Sequence, residues 1–132
     1  MTNCRLAARG ISASSPYLVL DARYEKVREG GIVRGAAVLA AVGIDPDGRR
    51  RILGVSAKAS EAEVHWREFL DGLVARGLRG VTKVVSDDHA GLGAARKAVL
   101  PGAVWQRCQF HTIRTQSTVR RFGALAARRW AA

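Results

Sequence analysis

Acidic side chains are missing from the last third of this sequence: between His89 and Ala132 there is no Asp and no Glu. Cysteine is scarce as well, with only Cys4 and Cys108, too few for a disulfide framework. Cys4 sits in a polar stretch without periodicity, so no bridge between the two is expected. No apolar run approaches the roughly 18 residues that span a bilayer. The N-terminus also lacks the charged, apolar and small-residue pattern of a secretory signal. These absences lead us to expect a cytoplasmic protein that does not associate with membranes. There is no internal repeat and no Ser/Gly linker, and 132 residues fit one domain with a modest core.

What is present in excess is positive charge. The chain carries 22 Lys and Arg against 11 Asp and Glu, a net +11. Residues 1–88 hold 14 basic and 11 acidic side chains, net +3, whereas residues 89–132 hold 8 basic ones alone, net +8. A field of that kind attracts a polyanion and weakens with salt. A solubility charge or a basic tail is the plain alternative, but a basic half favours nucleic acid over an acidic protein or a membrane surface.

Hydrophobic patterning predicts an α/β fold. Residues 1–15 show no periodicity and read as a frayed or foreign leader. Residues 17–20 form a short apolar run ending at Asp21, the pattern of a buried strand with an acid at or near its end. A second strand is expected over 33–44 and a third over 51–56. Asp45-Pro46-Asp47-Gly48 joins these two, since Pro presets φ and Gly accepts positive φ. Ser60 and Glu63 have the spacing of a capping box. Behind them Trp66, Phe69, Leu70, Leu73 and Val74 recur on one helical face, and Gly77 supplies a stop. A fourth strand is expected over 83–86, with Asp87 and Asp88 just past it, either of which is placed to cap a following helix. That helix runs from about His89 to Val99, with Leu92, Ala95 and Val99 inward, and Pro101-Gly102 ends it. A fifth short strand covers 104–107. The order is β-β-β-α-β-α-β. Strands one to three can form an antiparallel meander, and the helical crossover lets strand four run parallel to an earlier strand. If strand four pairs with strand one, Asp21 and Asp87 come side by side. Beyond His111 the pattern weakens. Val119, Phe122, Ala126 and Trp130 can line a helix face with Arg120, Arg121, Arg128 and Arg129 outside, or the segment is a disordered basic tail.

Two carboxylates held close repel each other unless a cation neutralises them. Mg²⁺ suits such a pair, because a hard cation prefers carboxylate oxygens and keeps open positions for water or phosphate. Two such ions can activate a water and stabilise a leaving oxygen in phosphodiester transfer. The plain reading of Asp21 and Asp87 is that they are loop or capping residues. The words around them favour the chemical reading. Asp21-Ala22-Arg23-Tyr24-Glu25-Lys26-Val27-Arg28 resembles the first catalytic block of bacterial Mutator-type insertion-sequence transposases, enzymes of the Asp-Asp-Glu (DDE) class. Ser86-Asp87-Asp88-His89-Ala90-Gly91-Leu92 resembles their second block. Trp105-Gln106-Arg107-Cys108-Gln109-Phe110-His111-Thr112-Ile113-Arg114 resembles the Cys-x-x-His signature that follows. The resemblance covers residues 17–114. It leaves residues 1–16 as an irregular leader and residues 115–132 as a divergent basic tail.

The resemblance implies an RNase H-like core built on a mixed five-stranded sheet and incomplete at its C-terminal side. It also implies Mg²⁺- or Mn²⁺-dependent DNA strand cleavage and transfer. Asp21 and Asp87 match the first two carboxylates, as catalytic residues and metal ligands. Asp88 stands where the family has Gly, which makes it a neighbour of the metal site, as is His89. Cys108 and His111 fall near the site and organise the core or contact DNA. A closed zinc site needs four ligands, which His89 or Cys4 would have to help complete. Trp105 either stacks on a base or fills the core, and His65 is assigned no chemistry. Arg23, Lys26, Arg28, Arg107 and Arg114 are the candidate DNA contacts, meeting phosphates without reading sequence. The partners implied are DNA, namely insertion-sequence ends and target, and another copy or a full-length transposase. The expected location is the nucleoid.

The sequence departs from the family in one decisive respect. The third carboxylate of the family lies downstream of Cys-x-x-His, and no acid follows Asp88 here. From Thr115 onward the family's continuation is also lost, the pattern of a truncated or frame-shifted copy. The expectation is therefore a transposase core that does not transpose DNA alone. The alternative is an inactive remnant serving as a basic DNA-binding or partner-binding module.

Overall fold

The computed structural model describes residues 9–109. Its elements are β1 (Tyr17–Glu29), β2 (Ile32–Ile44), β3 (Arg50–Lys58), α1 (Glu63–Ala75), β4 (Lys83–Ser86), α2 (Ala90–Val99) and β5 (Val104–Arg107). They form one five-stranded sheet in the order β3-β2-β1-β4-β5. Strands β1 to β3 are an antiparallel meander, β4 runs parallel to β1, and β5 runs parallel to β4. The element order and the β1–β4 pairing agree with the sequence-based expectation.

Strand alternation sets the faces. Leu18 and Leu20 on β1 pair with Gly43 and Ala41 on β2, and these residues are all buried on the face covered by the helices. Against that face, α1 contributes Trp66, Phe69, Leu70 and Leu73, and α2 contributes Leu92 and Ala95. Trp66 and Phe69 meet edge-on, with ring centroids 5.8 Å apart. A bulge between Ala41 and Val42 shifts the β2–β3 register and turns both Leu53 and Gly54 into the core.

Several local expectations are corrected. β1 does not stop near Asp21 but continues to Glu29, with Gly30 (φ +58°) and Gly31 (φ +78°) making a two-residue hairpin turn into β2. Such turns need positive φ at both central positions, which favours glycine. The outer half of this hairpin is exposed on both faces, so it carries no apolar alternation to detect. Ser60 and Glu63 form no capping box. The N-cap of α1 is Ala62, without a side-chain cap, because the helix starts two residues later than that motif requires. The Ser60 hydroxyl instead accepts from the Ala62 N–H and meets His65 Nδ1 at 3.2 Å. Val74 is 43% exposed, since it lies at the rim of the apolar stripe. Neither Asp87 nor Asp88 caps α2. His89 does so, its Nδ1 accepting from the Gly91 N–H at 3.2 Å.

Residues 9–16 form no helix or strand, yet they are not loose. Ile11 is buried, its N–H donates to the Arg76 carbonyl, and Arg79 donates to the Ser12 carbonyl. The Asp45–Gly48 turn behaves as expected: Gly48 has φ +84°, and Asp45 Oδ1 accepts from the Arg49 N–H. Among the described residues, no helix is long and apolar enough to cross a membrane. Residues 115–132, His111 and Arg114 lie outside the described residues, as does Cys4.

Candidate catalytic site at the ends of two parallel strands

The central pair of parallel strands determines where the acids fall. Tyr17 pairs with Lys83, Leu18 with Val84 and Val19 with Val85, a constant offset of 66 residues. Asp21 follows the last paired residue of β1, Val19, by two positions, and Asp87 follows Val85 of β4 by two. Asp21 is exposed and lies in register with Ala40 of β2, on the face opposite Leu20. Asp87 is half-buried and follows β4 directly.

The peptide of Asp87 is held firmly. Ser86 is 1% exposed, and its hydroxyl donates to the Asp87 carbonyl at 2.9 Å while accepting from Trp105 Nε1 at 2.9 Å. The Cys108 N–H donates to the Ser86 carbonyl at 2.7 Å, prolonging the β4–β5 ladder. Trp105 is thus half-buried and structural on one edge, with the Arg96 guanidinium 5.5 Å from its ring centroid. On the far side of Asp87, α2 abuts the start of α1. A side chain at Gly91 would put its Cβ 2.4 Å from the Glu61 carbonyl oxygen, so only glycine fits there.

Two residues near Asp87 have no counterpart in the sequence-based site. Glu61 is 7% exposed, and among the described residues its buried Oε1 has no hydrogen-bond partner within 3.5 Å. Its Oε2 lies 4.0 Å from His89 Nε2. The Tyr24 hydroxyl titrates above its ordinary value, first through lost hydration, then through the Glu61 carboxylate, with a smaller contribution from Asp87. A Glu two residues ahead of a helix looks like an ordinary first-turn acid, so nothing in the pattern distinguishes Glu61.

The remaining candidates are dispersed. Asp88 is exposed, and both ring nitrogens of His89 are engaged, Nδ1 in capping α2 and Nε2 in facing Glu61 at 4.0 Å. Among the described residues, no group of three or more His, Cys, Asp and Glu is arranged to hold a metal ion. Arg23 is exposed two residues beyond Asp21 on the same face of β1, while Lys26 and Arg28 alternate to the other face near the hairpin tip. Arg107 is exposed at the end of β5. Two carboxylates on adjacent strands, with open surroundings, suit a hard cation that retains water or phosphate ligands. They do not make a closed structural site.

Comparison with known proteins gives this arrangement its context. The sequence model described as "Transposase, Mutator family" matches residues 5–122, reaching into both segments that sequence analysis had set aside as leader and tail. The transposase for insertion sequence element IS406 of Burkholderia multivorans is 63% identical over 97 residues, covering 74% of this chain and 25% of that protein. The transposase for insertion sequence element ISRM5 of Rhizobium meliloti is 56% identical over 108 residues, covering 82% and 27%. The chain thus spans about a quarter of the length of these curated relatives. A chain in the simian T-cell lymphotropic virus intasome, solved with a PP2A regulatory subunit, superposes with a TM-score of 0.51 at 12% identity. That match covers 75% of this chain and 34% of the other, and the shared fold is RNase H-like. On the evidence of its motifs, its fold and these matches, the chain belongs to the Mutator family of transposases.

Proposed function

We propose that this chain is part of the phosphoryl-transfer core of an insertion-sequence transposase, with Asp21 and Asp87 together holding a divalent cation, Mg²⁺ or Mn²⁺, at a DNA phosphate. The observation that supports this reading is the parallel β1–β4 register, an offset of 66 that the two acids, two positions past its last pair, share. A bound cation of this kind neutralises charge on the phosphate and lowers the pKa of water. The protein's part is to fix the two carboxylates. β1 does so through continuous pairing with β2, and the Ser86 hydroxyl does so through the Asp87 carbonyl. Arg23, on the Asp21 face, and Arg107, past the end of β5, are positioned to meet flanking phosphates. Arg114, Cys108 and His111 complete the DNA-facing and supporting set proposed from the sequence motifs.

Within residues 1–132 no acid follows Asp88, so these residues supply no counterpart to the family's third carboxylate downstream of Cys-x-x-His. Removing part of a constellation that acts as a unit costs several orders of magnitude in rate. Taken by themselves, these 132 residues should bind a divalent ion weakly and should not complete transposition. The eight cations of residues 89–132, unopposed by any acid, favour a second reading in which this protein acts by binding DNA, or a longer transposase copy, without cleaving.

Calorimetric titration with Mn²⁺ tests the first reading. Asp21→Asn and Asp87→Asn should each weaken binding by at least about tenfold, roughly 1.4 kcal/mol. Unchanged Mn²⁺ affinity in both variants would remove the metal site. Asp21-dependent nicking of duplex DNA by the purified chain would overturn the claim of inactivity.

A further inference from the structure

The backbone joins the segments of Asp21 and Asp87 only from behind. The last paired residues of β1 and β4 are Val19 and Val85, and from Leu20 onward β1 pairs with β2 alone. Ser86, at the end of β4, pairs with Arg107 of β5. The two acid-bearing ends are therefore held from opposite sides, and adjacent strands in a sheet are rotated from each other by roughly 20–25°. A shared cation needs its ligands held to within about 0.5 Å, so a tie beyond the last pair is called for.

Glu61 lies where such a tie belongs. It comes from neither strand but precedes α1, and its carbonyl is packed so closely against α2 that Gly91 admits no side chain. The Glu61 side chain is 9% exposed, and Oε2 lies 4.0 Å from Nε2 of His89, two residues past Asp87. The Tyr24 hydroxyl, three residues past Asp21, responds to the same residue. After lost hydration, the Glu61 carboxylate is the main cause of its raised pKa, and the Glu61 N–H acts in the opposite sense. One residue thus meets both acid-bearing segments.

Stability alone does not account for this placement. A carboxylate near a helix N-terminus is favoured by the dipole, which explains a charge there but not its burial. Burying a carboxylate oxygen without a hydrogen bond is costly, and Oε1 has no partner within 3.5 Å among the described residues. Departures of this kind gather at functional sites. Glu61 is not itself a third metal ligand, since no group of three ligating side chains is arranged for an ion among the described residues.

We infer that Glu61 is a positioning residue: meeting Tyr24 on one side and His89 on the other, it sets the separation of Asp21 and Asp87 past the end of their ladder. The inference rests on the Asp21–Asp87 reading and adds what holds that pair in place.

Titration of the purified chain with Mn²⁺, followed by loss of the free-ion signal in electron paramagnetic resonance, tests the tie. Glu61→Ala should weaken Mn²⁺ binding by about tenfold, the low end of the loss when a metal ligand is deprived of its support. Glu61→Gln keeps the shape and an accepting oxygen, and should restore affinity to near the parent value. Tyr24→Phe, at an exposed position, should leave the melting temperature unchanged. It should weaken binding by about threefold, and the double variant with Glu61→Ala should lose little more than Glu61→Ala alone, because both act through one contact. Parent-like affinity in Glu61→Ala would overturn the inference. Equal losses in Glu61→Ala and Glu61→Gln would overturn it too, by showing that the charge acts on the cation directly. Should Glu61→Ala fail to fold, Tyr24→Phe decides, and unchanged affinity there sinks the tie. Asp21→Asn and Asp87→Asn separate the two readings. If they weaken binding while Glu61→Ala does not, only the tie fails; if they do not, the metal site falls and the tie with it.

Discussion

At its inner end the β1–β2 hairpin carries Leu18, Leu20, Leu39 and Ala41 against the helices, all at most 2% exposed. At its outer end the residues from Arg23 to Gly35 stand exposed, apart from half-buried Val27. One continuous pair of strands is therefore held by apolar burial on one side of Asp21 and by backbone ladder and turn geometry on the other. Asp21 lies near the boundary, anchored from within and accessible from without. This contrast suits a ligand-binding acid, whose backbone needs rigidity while its carboxylate needs access to solvent and substrate.

The strongest way to break the contrast is to attack the inner end. Leu18→Ala should lower unfolding free energy in urea by about 2–5 kcal/mol, the usual range for emptying a buried leucine site. A loss below about 1 kcal/mol would show that the inner end is no better anchored than the tip. Next in size, Gly31→Val should cost about 1–2 kcal/mol, because a β-branched side chain resists positive φ. Hydrogen exchange should localise that loss to amides of the outer hairpin, and uniform acceleration across the sheet would contradict the division. Val33→Thr, at an exposed position, should change stability by no more than about 0.5 kcal/mol.

The smallest effect concerns Tyr24. Its folded-state pKa is raised above the ordinary tyrosine value by lost hydration and by Glu61. The unfolded chain therefore binds fewer protons than the folded one as pH climbs through that range, and stability falls with rising pH there. Its contribution is intact below the unfolded value. Alkaline absorbance titration should show Glu61→Gln lowering the Tyr24 midpoint, and an unmoved midpoint would deny their contact.

The inner end was legible in the sequence because burial leaves periodic marks. Leu18 and Leu20 alternate, Trp66 to Leu73 repeat at helical spacing, and β4 and β5 agree with their expected limits. The outer hairpin was not legible, since Arg23 to Glu29 face solvent and nothing selects their pattern. Its Gly30-Gly31 turn was the available signal. The cap of α1 misled for a different reason: Ser60 and Glu63 have the right spacing, but Ser60 is engaged with His65. Glu61 was invisible because its role depends on α2 packing at Gly91, a contact between segments 30 residues apart in the chain.

The constant offset between β1 and β4 has an evolutionary and engineering corollary. In the proposed site, what aligns the two acids is lateral pairing over a few residues, so the number of amino acids in the loops and helix connecting them is irrelevant to their alignment. Lengthening the connection beyond Arg79, or the tip at Gly30, leaves the pair together. Inserting one residue between Tyr17 and Asp21 displaces one partner by about 3.3 Å and reverses the direction of its side chain. Gene variants with altered spacing should therefore be sorted by where the change falls, not by how large it is.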